Sequence, residues 1–150
     1  MSNLRQAGPA DAPAVRALTR EAYAKWVAVT GREPLPMRVD YDEALQKHRF
    51  DLLYEGDTLA DLIETAQEPD HLLIVNVAVA PAFQKRGFGR LLMAHAEEVA
   101  AEAGLGRLVL YTNSLMAENI ALYKTLGYRV EREQPFGTSI QVYMGKELSP

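Results

Sequence analysis

Hydrophobic residues recur at helical spacing in the first third of the chain and at strand spacing after it. Val15, Leu18, Ala22, Trp26 and Val29 fall on one helical stripe, with Asp11 placed to cap it, Pro13 in its first turn and Gly31 to stop it. Ahead of it, residues 4–7 read as a short strand. The segment GREPLPMRVD is rich in proline and glycine yet carries Leu35, Met37 and Val39, which predicts an ordered loop, followed by a short helix over 40–48. From there the period shortens. Residues 49–54 and 58–66 read as strands joined in a hairpin at Gly56-Asp57. Residues 71–79 are apolar at odd and even positions alike, the mark of a central strand covered on both faces. Pro81 ends that strand. A helix over 91–103 comes next, with Leu92, Ala96, Val99 and Ala103 on one face and Gly104 as its stop. The strand LVLYT, a helix over 116–126 ending at Gly127, and strands over 128–133 and 139–145 complete the pattern. Strands and helices alternate only in the middle, and hairpins hold the ends. The predicted fold is α/β of the α+β type: a mixed, mostly antiparallel sheet of six to seven strands with helices on both faces.

Composition narrows the function. The 150 residues, 48% hydrophobic and 24% charged, suit one domain over 1–150 that buries a real core. A net charge of −4 without any block of like charges offers no general field for nucleic acid. With no cysteine there is no disulfide framework and no thiolate metal site, and His48, His71 and His95 show no ligand spacing, so no metal is expected. The start of the chain lacks the apolar core of a signal peptide, and the most apolar run, HLLIVNVAVA, is about half what a membrane helix needs. The expectation is a cytoplasmic protein with no membrane partner.

One stretch stands apart from the acidic background. QKRGFGR, residues 84–90, packs three cations and two glycines between a strand and a helix. There, successive backbone N–H groups can point into one concavity and the positive end of the helix dipole favours an anion. Gly87 and Gly89 admit backbone angles that side chains forbid, while Lys85, Arg86 and Arg90 add charge suited to phosphate oxygens. The bland alternative is a strand-to-helix turn carrying surface cations. Two other phosphate loops are absent: no G-x-x-x-x-G-K-[ST] occurs, and Met93 and Ala94 stand where G-x-G-x-x-G needs a third glycine.

NVAVAPAFQKRGFGRLLM resembles the acetyl-CoA-binding segment of the GNAT superfamily of N-acetyltransferases: an apolar strand, a proline, then Gln or Arg-x-x-Gly-x-Gly or Ala, filled here by Gln84, Gly87 and Gly89. Downstream, ENIALYKTLGYRV resembles the second signature of that family, through Tyr123, Leu126, Gly127 and Tyr128. The resemblance implies acetyl-CoA as acetyl donor, with the pyrophosphate on the loop amides of Lys85, Arg86, Gly87, Phe88, Gly89 and Arg90. It implies the pantetheine arm along Val77, Ala78 and Val79, with an N–H of that strand as oxyanion donor. Tyr123 would protonate the leaving thiolate, against the alternative of a core tyrosine. Asn119, one turn earlier, would bond the pantetheine amides, although many members place an asparagine where this chain has Met116.

Some relatives carry a glutamate base on the central strand, where this chain offers only Asn76. Glu64, Glu68, Asp70 and His71 read as solvated strand-end or turn residues. At pH 7 an α-amine costs roughly 1.4 kcal/mol to neutralise and a lysine about 4.6, so a site without its own base favours an acceptor amine of modest pKa. Tyr23, Trp26, Arg32, Glu33, Met37 and Tyr41 are the candidate acceptor wall, with Tyr23 and Trp26 equally readable as core or helix-packing residues, and with Arg32 and Glu33 expected as a solvated ion pair rather than as groups that orient a charged small molecule. Ser114 and Ser139 sit in no nucleophile elbow, which points to direct transfer. The expected acceptor is a small-molecule or peptide amine, and the sequence leaves a homodimer open. Two rivals remain: a non-catalytic acetyl-CoA or CoA sensor, and a binder of another phosphate compound.

Overall fold

In the computed structural model, which describes residues 2–137 and 139–148, seven strands form one sheet. Across the sheet run β1 (Ser2–Gln6), β2 (Arg49–Glu55), β3 (Thr58–Gln67), β4 (Leu72–Val79), β5 (Arg107–Asn113), β7 (Ser139–Glu147) and β6 (Arg129–Phe136). The helices α1 (Ala12–Thr30) and α2 (Tyr41–Lys47) cover one face; α3 (Phe88–Glu102) and α4 (Ala117–Thr125) cover the other. Each face has its own core. Val15, Leu18, Phe50, Leu52 and Leu62 pack beneath α1 and α2, while Leu53, Ile63, Ile74, Leu92 and Leu108 pack beneath α3. Truncating a fully buried side chain such as Leu92 to alanine costs about 2–5 kcal/mol.

Local signals place the elements well, with three corrections. Gly31 ends α1 in the left-handed region at φ 79°, and Asp40 caps α2 by accepting from the N–H groups of Asp42 and Glu43. Asp11, expected to cap α1, turns back instead: its carboxylate accepts from Gly8 N–H and from Arg5, which outbid the helix amides. The buried stripe of α1 ends at Trp26, leaving Val29 48% exposed. The third correction bears on the loop of residues 84–90. Helix α3 begins at Phe88, three residues before the expected start, because Gly87 at φ 86° turns the chain directly into the helix.

Two irregularities in β4 shape the sheet around it. The strand is central, fourth of seven, yet its parallel pairing with β5 covers only Leu72–Ile74 against Leu108–Leu110. Beyond Ile74 the two strands part, and the far half of β4 has an open edge. On the other side, Glu64 pairs with Asn76 and Thr65 with Ile74, so Val75 is an extra residue, a β-bulge. The bulge shifts the alternation. Leu72 and Ile74 face α3, whereas after it Val77 faces α3 and Ala78 packs beneath α1.

Candidate active site

The open edge presents specific groups. Ala80 N–H donates to Ala60 on the β3 side, so by alternation Ala78 also turns its backbone to β3, and Val77 and Val79 turn theirs to the gap beside β5. Their carbonyls are already used there. The Tyr23 hydroxyl reaches the Val77 carbonyl at 3.1 Å and Asn76 Oδ1 at 2.8 Å, and Gln84 Nε2 donates to the Val79 carbonyl at 3.0 Å. The N–H groups of Val77 and Val79 thus face the gap while Ala78 is turned away.

Beside this edge lies a groove of about 340 Å³, lined by Val77, Val79, Gln84, Lys85, Gly87, Gly89 and Arg90 on one side and by Asn119, Leu122 and Tyr123 of α4 on the other. The N–H groups of residues 85–90 make no backbone bond among the described residues, because the early start of α3 leaves the amides of Phe88, Gly89 and Arg90 as its first turn. Lys85 is held at φ 63°, an uncommon angle for a side-chain-bearing residue, which adds to the tight turn ahead of Gly87. A Cβ on Gly89, which lines the groove, would come near only Val79 Cγ2, at 3.8 Å. The loop cations differ in their use: Arg86 lies over the rings of Phe83 and Phe88, at 5.2 and 5.7 Å, while Lys85 and Arg90 have no ion-pair partner among the described residues. The groove fits a linear, amide-bearing diphosphate ligand: free amides at one end, an unpaired strand edge along its length.

A second cavity, of about 300 Å³, opens on the other side of the gap. Tyr23, Val77, Asn119 and Tyr123 line both, so the two meet there. Tyr123 is half-buried, and desolvation pushes its phenol up to about 12, which keeps it protonated at neutral pH. Asn119, on the same face of α4, contacts Met116 Sδ at 3.8 Å.

Glu64 corrects the sequence reading. Expected at a solvated strand end, it lies mid-strand in β3, is only 3% exposed, and lines the second cavity opposite Asn76. The antiparallel register, invisible in the linear sequence, brings it there. His48 Nδ1 lies 2.7 Å from Glu64 Oε2. Burial raises the Glu64 carboxyl above its ordinary value of 4.5, and His48 partly offsets this. The same cavity holds Tyr41, whose hydroxyl donates to the Pro36 carbonyl at 2.6 Å, and Tyr111, raised by burial and by the nearby Tyr143 and Glu64. Glu68, Asp70 and His71 do not line it.

The expected acceptor wall divides. Tyr23, Arg32, Glu33 and Tyr41 line the second cavity, Trp26 lines the first groove, and Met37 is buried in the core. Arg32 and Glu33 do not pair with each other. Glu33 pairs with Arg20 at 2.8 Å, and Arg32 lies over the ring of Phe136 at 5.7 Å. Among the described residues no cluster of His, Asp or Glu is arranged to hold a metal, and no helix is long and apolar enough to cross a membrane.

Residues 14–128 match the model of the acetyltransferase (GNAT) family. The N-acetyltransferase YvbK of Bacillus subtilis is 30% identical over 64% of this chain and 63% of its own length. The ribosomal protein bS18-alanine N-acetyltransferase of Salmonella typhimurium is 36% identical over 51% of each. The match thus spans between half and two thirds of these relatives. Among solved structures, the ribosomal-protein-S18-alanine N-acetyltransferase from Escherichia coli superposes with a TM-score of 0.82 at 21% identity, over 100% of this chain and 96% of that one. The PaiA N-acetyltransferase from Thermoplasma acidophilum, in complex with coenzyme A, gives 0.84 at 18% identity over 98% and 99%. Both confirm the fold.

Proposed function

The chain belongs to the acetyltransferase (GNAT) family, and on that premise we propose that residues 1–150 form one unit that transfers the acetyl group of acetyl-CoA directly to a primary amine. The observation that carries this is the meeting of two cavities at Tyr123 and Val77. One has the strand edge and free amides suited to the donor. The other has a buried carboxylate suited to an amine.

Acetyl-CoA supplies the acetyl group and departs as the thiol; the residues hold it and move the protons. The N–H groups of residues 85–90 and the charges of Lys85 and Arg90 bind the pyrophosphate, with Gln84 bracing the loop against Val79. Val79 N–H pairs with the pantetheine arm, Asn119 supports that arm from α4, and Val77 N–H serves as the oxyanion donor. Glu64, its basicity raised by burial, takes a proton from the incoming ammonium, and His48 passes it to solvent. One N–C bond forms and one C–S bond breaks. The ammonium gives up two protons in all: one leaves through Glu64, the other replaces the proton that Tyr123 hands to the thiolate. With Glu64 as the base, the reaction does not depend on an acceptor amine of low pKa.

Relatives named as alanine N-acetyltransferases support an amine as acceptor. The test is release of free thiol from acetyl-CoA against a panel of small amines and peptides. Turnover with any of them supports the reading, while tight binding of acetyl-CoA with no turnover across the panel identifies a sensor instead.

A further inference from the structure

The second cavity has a charge arrangement that a simple amine site does not need. Its floor carries Glu64, buried and partnered by His48. Its rim carries two exposed guanidinium groups, Arg32 and Arg38, both on the segment after α1. Neither has a carboxylate partner among the described residues: Arg32 rests on Phe136, and the nearby Glu33 is neutralised by Arg20, which lies outside the cavity lining. An aliphatic acceptor amine arrives mostly as a cation at neutral pH. Two uncompensated cations at the entrance repel a plain alkylamine and repel a polyamine more strongly, which lowers its local concentration. An acceptor that carries its own anion turns that repulsion into attraction.

Resting on the acetyltransferase function, we propose that the acceptor is a small amino carboxylate, bound with its amine at Glu64 and its carboxylate on Arg38 and Arg32. Guanidinium is the group whose paired N–H donors match a carboxylate. Between the two ends the lining is largely apolar. Leu35 and Val39 line this cavity and are 43% and 40% exposed overall, apolar surface against which an aliphatic spacer can pack. A volume of about 300 Å³ lies at the small end of ligand sites and suits a metabolite-sized molecule.

The test uses the full chain with saturating acetyl-CoA and a homologous series of straight-chain amino acids. Each is compared with its primary amide and with the diamine of equal length. The expected result is a KM for the best amino acid at least about tenfold below that of its amide, the size of one charge-assisted hydrogen bond. Arg38→Gln should raise the KM of the amino acid about tenfold more than that of the amide, and Arg38→Lys should recover part of the difference. Arg38 is exposed, so these variants are expected to keep the thermal midpoint of the parent chain. Calorimetric binding of the same amino acid and amide to the protein with CoA reads the preference independently of turnover. Equal affinity for acid and amide, a preference for the diamine, or an Arg38→Gln variant with an unchanged ratio overturns the proposal. Acetyl-CoA binding without turnover of any amine would instead fail the acetyltransferase reading, while the calorimetric ratio still decides this one.

Discussion

His48 Nδ1 lies 2.7 Å from Glu64 Oε2, and the partly exposed imidazole links the buried carboxylate of the second cavity towards solvent. The carboxylate must be ionised to accept a proton, so kcat/KM should fall as pH drops through its folded pKa, which burial has raised above 4.5. His48 holds that pKa down; His48→Ala should therefore move the acidic limb of the pH profile to higher pH. Glu64→Gln should remove the limb and lower kcat/KM by about 10²–10⁴-fold. A Glu64→Gln variant with the parent profile would rule Glu64 out as the base.

Tyr123 stands at the wall common to both cavities with its phenol raised to about 12. Tyr123→Phe removes the proton donor and keeps the ring that contacts Tyr128 at 6.2 Å. Turnover should drop by about 10²–10⁴-fold while the dissociation constant of acetyl-CoA, measured by calorimetry, stays within a few-fold of the parent value.

Gly89 and Lys85 should separate backbone from charge in donor binding. A Cβ at position 89 meets no side chain closer than Val79 Cγ2 at 3.8 Å, so the chain should fold, and the branched carbons of a valine are expected to intrude on the groove that Gly89 lines. Gly89→Val is expected to abolish acetyl-CoA binding in a thermal-shift titration. Lys85→Ala keeps the amides and should only weaken it. Loss of binding in both would mean that charge, not the amide cradle, dominates.

Asp61 is fully buried, without a side-chain partner among the described residues, and desolvation raises its carboxyl from 3.8 to about 8. Between these values the folded chain keeps a proton that the unfolded chain has lost. Stability should therefore decline by up to about 1.4 kcal/mol per pH unit across that window through this group alone. Asp61→Asn removes the decline. In urea unfolding, the variant's advantage over the parent should grow from about pH 5 to pH 8 and level off above it. A difference constant with pH would show that Asp61 ionises normally.

The linear sequence determined most of the architecture and one half of the site. Hydrophobic period, Gly31 and Asp40 as helix boundaries, and the hairpin at Gly56 are encoded by residues within a few positions of one another, so the seven strands and their flanking helices were legible. So was the loop of residues 84–90 as a turn with free amides, because such a turn is a local structure and its glycines lie close together in the chain. Tyr123 stood out as a candidate through the short signature that ends at Tyr128, and the structure places it at the wall common to both cavities. What only the tertiary structure decided depends on residues far apart in sequence. Glu64 looked like a strand-end residue until the register of β3 on β4 set it opposite Asn76, 12 positions away, and His48 covered it from the end of α2. The parting of β4 from β5 after Ile74 left the backbone of Val77 and Val79, and not that of Ala78, turned to the groove. Arg38 and Glu64 share a cavity because the segment after α1 and the strands β3, β4 and β5 line it together. Periodicity records which residues are buried; it does not record which of them meet.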